Sequence, residues 1–391
     1  MKRIQGQQDL AINGADPAFS EPLHVGRPNM GNREDFLKYA GEIFDRRWLT
    51  NNGPVVQEFE RQVADYHNVK HCVAMCNGTV ALEIAIRALG YENEVIIPSF
   101  TFVATAHALH WQGITPVFAD IDPATHNLDP KSVRRMITPR TTGIVAVHLW
   151  GRSAAIEELQ AIADEHGLGL MFDAAHAFGC SHKGTTVGNF GACEILSFHA
   201  TKFFNTFEGG AVLTNDHELA ETMQLMRNFG FSGMDRVIHA GTNGKMTEIS
   251  AAMGIVNLDS IDSVIEANRR NYHAYREELS RLPGINLLSF DESERQNYQY
   301  VVMEVGEQCP VTRDQIIKAL HAENVIARRY FWPGCHKMVP YCELYPHAGQ
   351  VLPNTNQVAD RVVVLPTGTT MDGGMVRTVV SIIAVLLKDA E

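Results

Sequence analysis

Lys202 follows the short run Ser197-Phe198-His199-Ala200-Thr201 and precedes a loop that passes through Glu208-Gly209-Gly210 into a second apolar run, Ala211-Val212-Leu213-Thr214. A lysine just past an apolar segment and before a loop is a place where an enzyme holds an amine for Schiff-base chemistry. A lone lysine there is otherwise a solvated loop residue, so its companions decide. Cys76-Asn77-Gly78-Thr79 lies between a strand-like run and a helical one. Gly78 lets the backbone approach closely, and the amides that open the next helix point at whatever lies in front of them, a phosphate being the natural guest. The same residues also make an ordinary turn and N-cap. Asp173 closes the run Leu168-Gly169-Leu170-Met171-Phe172. A carboxylate among apolar neighbours at a strand end is costly to bury without a cationic or hydrogen-bonding partner. It either caps the next turn or faces a protonated ring nitrogen, which it keeps cationic.

A phosphate cradle, a strand-end carboxylate and a lysine 29 residues beyond it address the phosphate, ring nitrogen and aldehyde of pyridoxal phosphate. A dinucleotide site fits less well, because no Gly-x-Gly-x-x-Gly follows the first strand. The lysine must be neutral to attack and to act as a base, and burial beside a cationic ring lowers its pKa.

The elements that position these residues follow from periodicity. Strand-like runs fall at Cys72–Met75, Val95–Ile97, Pro116–Phe118, Gly143–Val147 and Gly169–Phe172, with helical stretches between them at Val80–Leu89, Val103–Trp111, Pro130–Ile137 and Ala154–Glu165. In the last of these Ile156, Leu159, Ile162 and Ala163 recur at helical spacing, with Glu157, Glu158 and Asp164 outward. Such alternation predicts an α/β fold whose mainly parallel central sheet is covered by helices on both faces, with ligands beyond the carboxyl ends of the strands. Before this core, residues 1–30 read as an N-terminal arm, and Glu34 to Arg47 and Val55 to His67 as helices. After it, a helix runs from Asp216 to Phe229 and ends at Gly230. Gly230 to Met246 is a glycine-rich candidate for a functional loop. One long helical segment runs from Thr247 to about Leu282. A smaller α+β domain then holds strands at Tyr298–Val305 and Val362–Leu365, a helix opened by the capping box Thr312-x-x-Gln315, and a closing helix near Gly374–Leu387. The expected division is an arm over 1–30, a large cofactor-binding domain over 31–255 and a small domain over 256–391.

With 33 Lys and Arg against 45 Asp and Glu, the formal net charge of −12 argues against a broad nucleic-acid or anionic-membrane footprint. Seven cysteines without regular spacing suit reduced thiols in a cytoplasm. No apolar signal region or membrane span is apparent, so the expectation is a cytoplasmic protein without nucleic-acid or membrane partners. Cys335, His336, Cys342 and His347 match no zinc spacing, and no metal is expected.

Ser197-Phe198-His199-Ala200-Thr201-Lys202, Glu208-Gly209-Gly210 and Asp173-Ala174-Ala175-His176 resemble the nucleotide-sugar aminotransferases of the DegT/DnrJ/EryC1/StrS family, which have the PLP-dependent transferase fold type I of aspartate aminotransferase. The likeness runs from about Trp48 to the C-terminus. Phe203-Phe204-Asn205-Thr206-Phe207-Glu208 and Arg328-Arg329-Tyr330-Phe331-Trp332-Pro333-Gly334 are similar to the branch that aminates C4 of dTDP-4-keto-6-deoxyglucose. The resemblance implies that Lys202 carries the cofactor and later moves the proton, that Asp173 pairs with the pyridine nitrogen, and that Gly78, Thr79 and Ser197 bind the phosphate. It implies Phe102 over the cofactor ring, His176 beside it, and Asn243 reaching the phosphate in the other subunit of a homodimer with shared sites. Substrate contacts are expected at Trp48, Arg328 and Tyr330, with Arg227, Arg236, Lys245 and Arg329 as further basic candidates for the sugar-nucleotide diphosphate. L-glutamate is the implied donor in a two-stage exchange. The alternatives are a 3-keto-sugar aminotransferase and a PLP-dependent sugar dehydratase of the same fold, whose members carry histidine where Lys202 stands. A non-catalytic regulator would not keep Asp173, Lys202 and the phosphate turn together.

Overall fold

The computed structural model describes residues 2–388. Its large sheet has seven strands, β1 His71–Met75, β2 Glu94–Pro98, β3 Thr115–Ala119, β4 Thr141–Val147, β5 Gly169–Asp173, β6 Glu194–Ser197 and β7 Gly210–Thr214, in the order β1-β7-β6-β5-β4-β2-β3. All neighbours are parallel except β7, which runs antiparallel to both β1 and β6. Successive side chains leave a strand on opposite faces, and here both faces are covered. Val95 and Ile97 of β2 join Leu82, Ile86, Leu109 and Met223 from helices α3 Gly78–Ala88, α4 Ala104–His110 and α7 His217–Met226. Ile96, between them, joins Val133, Ile156, Leu159 and Ile162 from α5 Pro130–Met136 and α6 Ile156–His166. This double burial is why the strands read as continuous apolar runs, each fully buried Ile or Leu contributing about 1.5–3 kcal/mol.

The second, smaller sheet is antiparallel, made of β8 Ile285–Leu287, β9 Val301–Val305 and β10 Val362–Leu365. It packs against α10 Arg313–Ala322, whose N-terminus carries the expected Thr312/Gln315 capping box, and against the closing helix Gly373–Lys388.

Three expectations differ from the fold. The long helical segment after Thr247 is two helices, α8 Glu248–Asp259 and α9 Ile261–Leu279, broken at Ser260, whose φ/ψ of −104°/3° leaves the helical region. The N-terminal residues do not form a loose arm: Ile4, Leu10, Phe19 and Leu23 are buried in the core of the smaller sheet, and Leu23–His24 pairs in parallel with Val325–Ile326. The buried Glu323 fixes them there, accepting hydrogen bonds from the Ala11 and Ala18 amides at 2.6 Å each. Helix α7 stops at Met226, and Gly230, at φ +77°, closes its end by donating its amide to the Leu225 carbonyl at 2.8 Å. Among the described residues no helix is long and apolar enough to cross a membrane.

Candidate active site

The carboxyl ends of β1, β5 and β6 open into one cavity of about 600 Å³, at whose floor Asp173 ends β5. Its Oδ2 accepts from Thr105 Oγ1 of α4 at 2.9 Å, and its Oδ1 from the Ala175 amide at 3.1 Å. Burial pushes the carboxyl pKa up, against the opposing pull of those two hydrogen bonds and of Lys202. A carboxylate held in this way is short of a cation.

At β1, Asn77 turns the chain into α3 and caps it, its Oδ1 accepting from the Val80 amide at 2.8 Å. This leaves the amides of Gly78 and Thr79, the first of α3, without partners within the helix, in residues that line the cavity. Two other strands press on the turn. A Cβ on Gly210 of β7 would lie 2.5 Å from both the Asn77 carbonyl carbon and the Gly78 nitrogen, so only glycine lets β7 pass behind the turn. A Cβ on Gly78 would meet the Ser197 Cβ at 3.1 Å. The turn and the Ser197 hydroxyl thus sit side by side, a set suited to an anion.

Lys202 follows β6 in a turn closed by its own amide to the His199 carbonyl at 2.8 Å and by the Phe198 amide to the Gly209 carbonyl at 2.8 Å. The turn is held from behind by aromatic side chains: Phe198 meets Phe59 edge-on at 5.6 Å, and Phe204 stacks on Phe178 at 4.2 Å. The amine is thereby held in the cavity, where desolvation lowers its pKa to about 8, partly offset by Asp173. Nζ donates a hydrogen bond to the Tyr300 hydroxyl at 3.3 Å. His176 is buried and ringed by Trp150, Tyr300 and Phe331. Its Nδ1 accepts from the Trp150 amide at 3.3 Å, and burial keeps its pKa well below the ordinary value, so the ring is neutral with its proton on Nε2.

Of the residues expected at the site, Gly78, Thr79, Phe102, Asp173, His176, Ser197, Lys202 and Tyr330 line this one cavity. Trp48, Asn243 and Arg328 are exposed and lie outside its lining in the single chain. Arg328 is nevertheless next to it, its guanidinium 4.9 Å from the centre of the Tyr330 ring. Arg227 is built into the fold instead of a substrate site: it is buried, paired with Glu60, and bonded to the Ala74 carbonyl at 2.7 Å and Asn52 Oδ1 at 3.0 Å. Arg329 pairs with Asp314 at 3.0 Å. His148 is a packed residue, giving Nε2–H to the buried Glu194 at 2.7 Å and accepting from the Ala154 amide at Nδ1 at 3.0 Å, whereas His199 lines the cavity. Two residues escaped the reading of the sequence, Thr105 beneath Asp173 and Tyr300 beside Lys202, because neither lies near its partner in the chain.

The family model of DegT/DnrJ/EryC1/StrS aminotransferases matches residues 31–384. A relative from Shigella dysenteriae, a dTDP-4-amino-4,6-dideoxy-D-glucose transaminase, is 35% identical over 367 residues, which is 93% of this chain and 99% of the relative. The GDP-perosamine synthase of Caulobacter vibrioides is 37% identical over 82% of this chain and 87% of its own. The crystal structure of DesI in the presence of its TDP-sugar product matches with a TM-score of 0.92 and 47% identity, covering 97% of this chain and 96% of that one.

Proposed function

The chain belongs to the DegT/DnrJ/EryC1/StrS aminotransferase family, and from that premise we propose that it binds pyridoxal phosphate and transfers the amino group of L-glutamate to C4 of a nucleotide-linked 4-keto-6-deoxy sugar, dTDP-4-keto-6-deoxy-D-glucose in particular. The observation that carries this reading is the meeting, in one cavity, of a buried carboxylate, the open amides of a helix N-terminus and an amine whose pKa is lowered to about 8.

The residues present fit the cofactor. Asp173, with its pKa raised by burial, gains the cation it lacks when a pyridinium nitrogen lies opposite. The turn that Gly210 leaves room for, together with Ser197, takes the phosphate, and Phe102 offers an exposed aromatic face at the cavity wall. When bound, the cofactor supplies an electron-withdrawing ring that stabilises negative charge on a substrate carbon. Lys202 would hold the cofactor through its amine, and once released by the incoming amino acid that amine, about half neutral near pH 8, would take up and return the proton of the reacting carbon. His176 holds its one ring proton on Nε2.

The substrate assignment rests on relatives whose names specify a dTDP-4-amino-4,6-dideoxy-D-glucose transaminase and on a structure with a TDP-sugar product. Arg328 and Tyr330, stacked beside the cavity, are assigned to the nucleotide diphosphate and sugar. The protein acts as a homodimer with shared sites. Leu37 and Phe44 of α1 Arg33–Arg46, with Trp48, Leu49, Phe229, Met234, Val237 and Ile238, are large apolar side chains at the surface. The Arg227–Asn52 hydrogen bond joins the two loops that carry most of them, and a second copy would cover this face. Asn243 and Trp48 lie on these same two loops and are assigned to the partner's cavity. Incubation with glutamate, cofactor and a panel of dTDP-, UDP- and GDP-linked 3-keto and 4-keto sugars tests the reading. An amino sugar from the 4-keto members, formed with equimolar 2-oxoglutarate, is expected, and loss of a sugar hydroxyl without gain of nitrogen would replace it with dehydration.

A further inference from the structure

Lys202 Nζ makes its hydrogen bond to a residue that leads into the other sheet. Tyr300 stands immediately before β9, with its ring 5.3 Å from Trp150 and 4.6 Å from His176, buried between them. From there its hydroxyl reaches the amine at 3.3 Å. Packing alone does not call for that hydroxyl: phenylalanine fills the same space, and a phenol oxygen in an apolar gallery is costly unless it finds a partner. Beside the Gln299 side chain, the partner it finds at 3.3 Å is the one amine on which the chemistry depends. Among the described residues Nζ forms no ion pair, and Asp173 acts on it only at longer range.

We propose that Tyr300 is a positioning residue: its hydroxyl oxygen accepts one N–H of the neutral Lys202 amine and so directs the nitrogen lone pair into the cavity, toward the carbon whose proton is moved. A neutral amine has two N–H bonds and one lone pair, and fixing one N–H removes most of its rotational freedom. An amine aimed in this way transfers protons faster than one that must find its orientation. Tyr300 remains a phenol throughout, since burial raises its pKa, so it can only accept from Lys202 or donate its own hydrogen, never compete as a base. The contact also ties the smaller sheet to the lysine, so the position of β9 sets the position of the amine.

This inference rests on the aminotransferase reading, and Tyr300→Phe tests it while keeping the ring in place. The holoenzyme is mixed with L-glutamate alone, ordinary or deuterated at Cα, and the cofactor absorbance is followed in time. The limiting rate should fall by about 10- to 100-fold and the deuterium effect should exceed that of the parent, while half-saturation by glutamate changes less than about 2-fold. In the apoprotein, the pH midpoint for reaction of Lys202 with added pyridoxal phosphate should fall by about half a pH unit or more, because the phenol oxygen binds an ammonium more strongly than an amine. A variant that equals the parent in rate, deuterium effect and midpoint would overturn the assignment and leave Tyr300 as packing. A parent with no glutamate-dependent change in absorbance would refute the aminotransferase reading instead, and the apoprotein midpoint would then decide for or against the hydrogen bond.

Discussion

Lys202 and Asp173 show opposite sides of one requirement, that a charged group be made uncomfortable until its ligand arrives. For Asp173 the consequence is a cost in stability. Its pKa is raised in the folded chain, so the folded state keeps the proton to higher pH than the unfolded one. Stability is therefore lost as pH rises from the ordinary carboxylate range, near about 3.9, through the raised value, and the loss is complete above it. Asp173→Asn should raise the melting temperature of the apoprotein at pH 8, an advantage that shrinks as the solution is made acid, while activity falls by about 10³-fold or more. The Thr105 and Ala175 hydrogen bonds can both persist in the variant, since Thr105 can accept from an amide as well as donate. Lys202→Ala should abolish transfer, by at least about 10³-fold, with an unchanged circular dichroism spectrum. An active Lys202→Ala protein would remove the lysine from its assigned role. Asp173 was legible in the sequence because it ends an apolar run where a buried charge needs a reason, and Lys202 because Asp173 and the Asn77-Gly78-Thr79 turn gave it companions. Tyr300 and Thr105 were not, being 98 and 68 residues from the groups they bind, with nothing local to distinguish them from core positions.

Among the elements, the most demanding is the crossing of β7 behind the turn at Asn77-Gly78. Gly210→Ala drives a methyl group against the Asn77–Gly78 peptide, at 2.5 Å from its carbon and nitrogen, where no side chain can swing away. It should cost about 1–3 kcal/mol of stability and weaken pyridoxal phosphate binding by about 10-fold or more, measured by absorbance titration of the apoprotein, because the displaced amides no longer converge. A second junction is Glu248, fully buried at the start of α8, whose carboxylate caps α2 Pro54–His67 by accepting from the Val55 and Val56 amides at 3.0 Å each. Glu248→Ala leaves both amides without partners and should cost about 2 kcal/mol or more in denaturant unfolding. The strands were readable because burial on both faces makes them uniformly apolar. The break at Ser260 was not, since helical periodicity continues on either side of it. The N-terminal segment lacked a period for a physical reason: Leu10, Phe19 and Leu23 belong to no regular element of any length, and the core they enter lies some 300 residues further along the chain, at Glu323 and Val325.

At the scale of the whole molecule, residues flanking the smaller sheet, Tyr300, Tyr330 and Phe331, close a cavity opened by the larger one, and the proposed dimer would cover the apolar outer loops. Mixing two variants tests the shared site. Lys202→Ala and Asn243→Ala should each be inactive alone, and after subunit exchange should recover about a quarter of parental activity, since half of the random dimers carry one intact site of two. Absence of recovery from dimers shown to have exchanged would place Asn243 in its own subunit's site. Phe44→Glu, on the same face, should shift the protein toward monomer in sedimentation and lower activity with it. The measurement closest to the central claim follows the nitrogen itself: the holoenzyme, dTDP-4-keto-6-deoxy-D-glucose and ¹⁵N-labelled L-glutamate are incubated together and the sugar product is read by NMR. The predicted result is ¹⁵N bonded to C4, with 2-oxoglutarate released in equal amount. A product with the label at C3, or a deoxygenated sugar without the label, would contradict it.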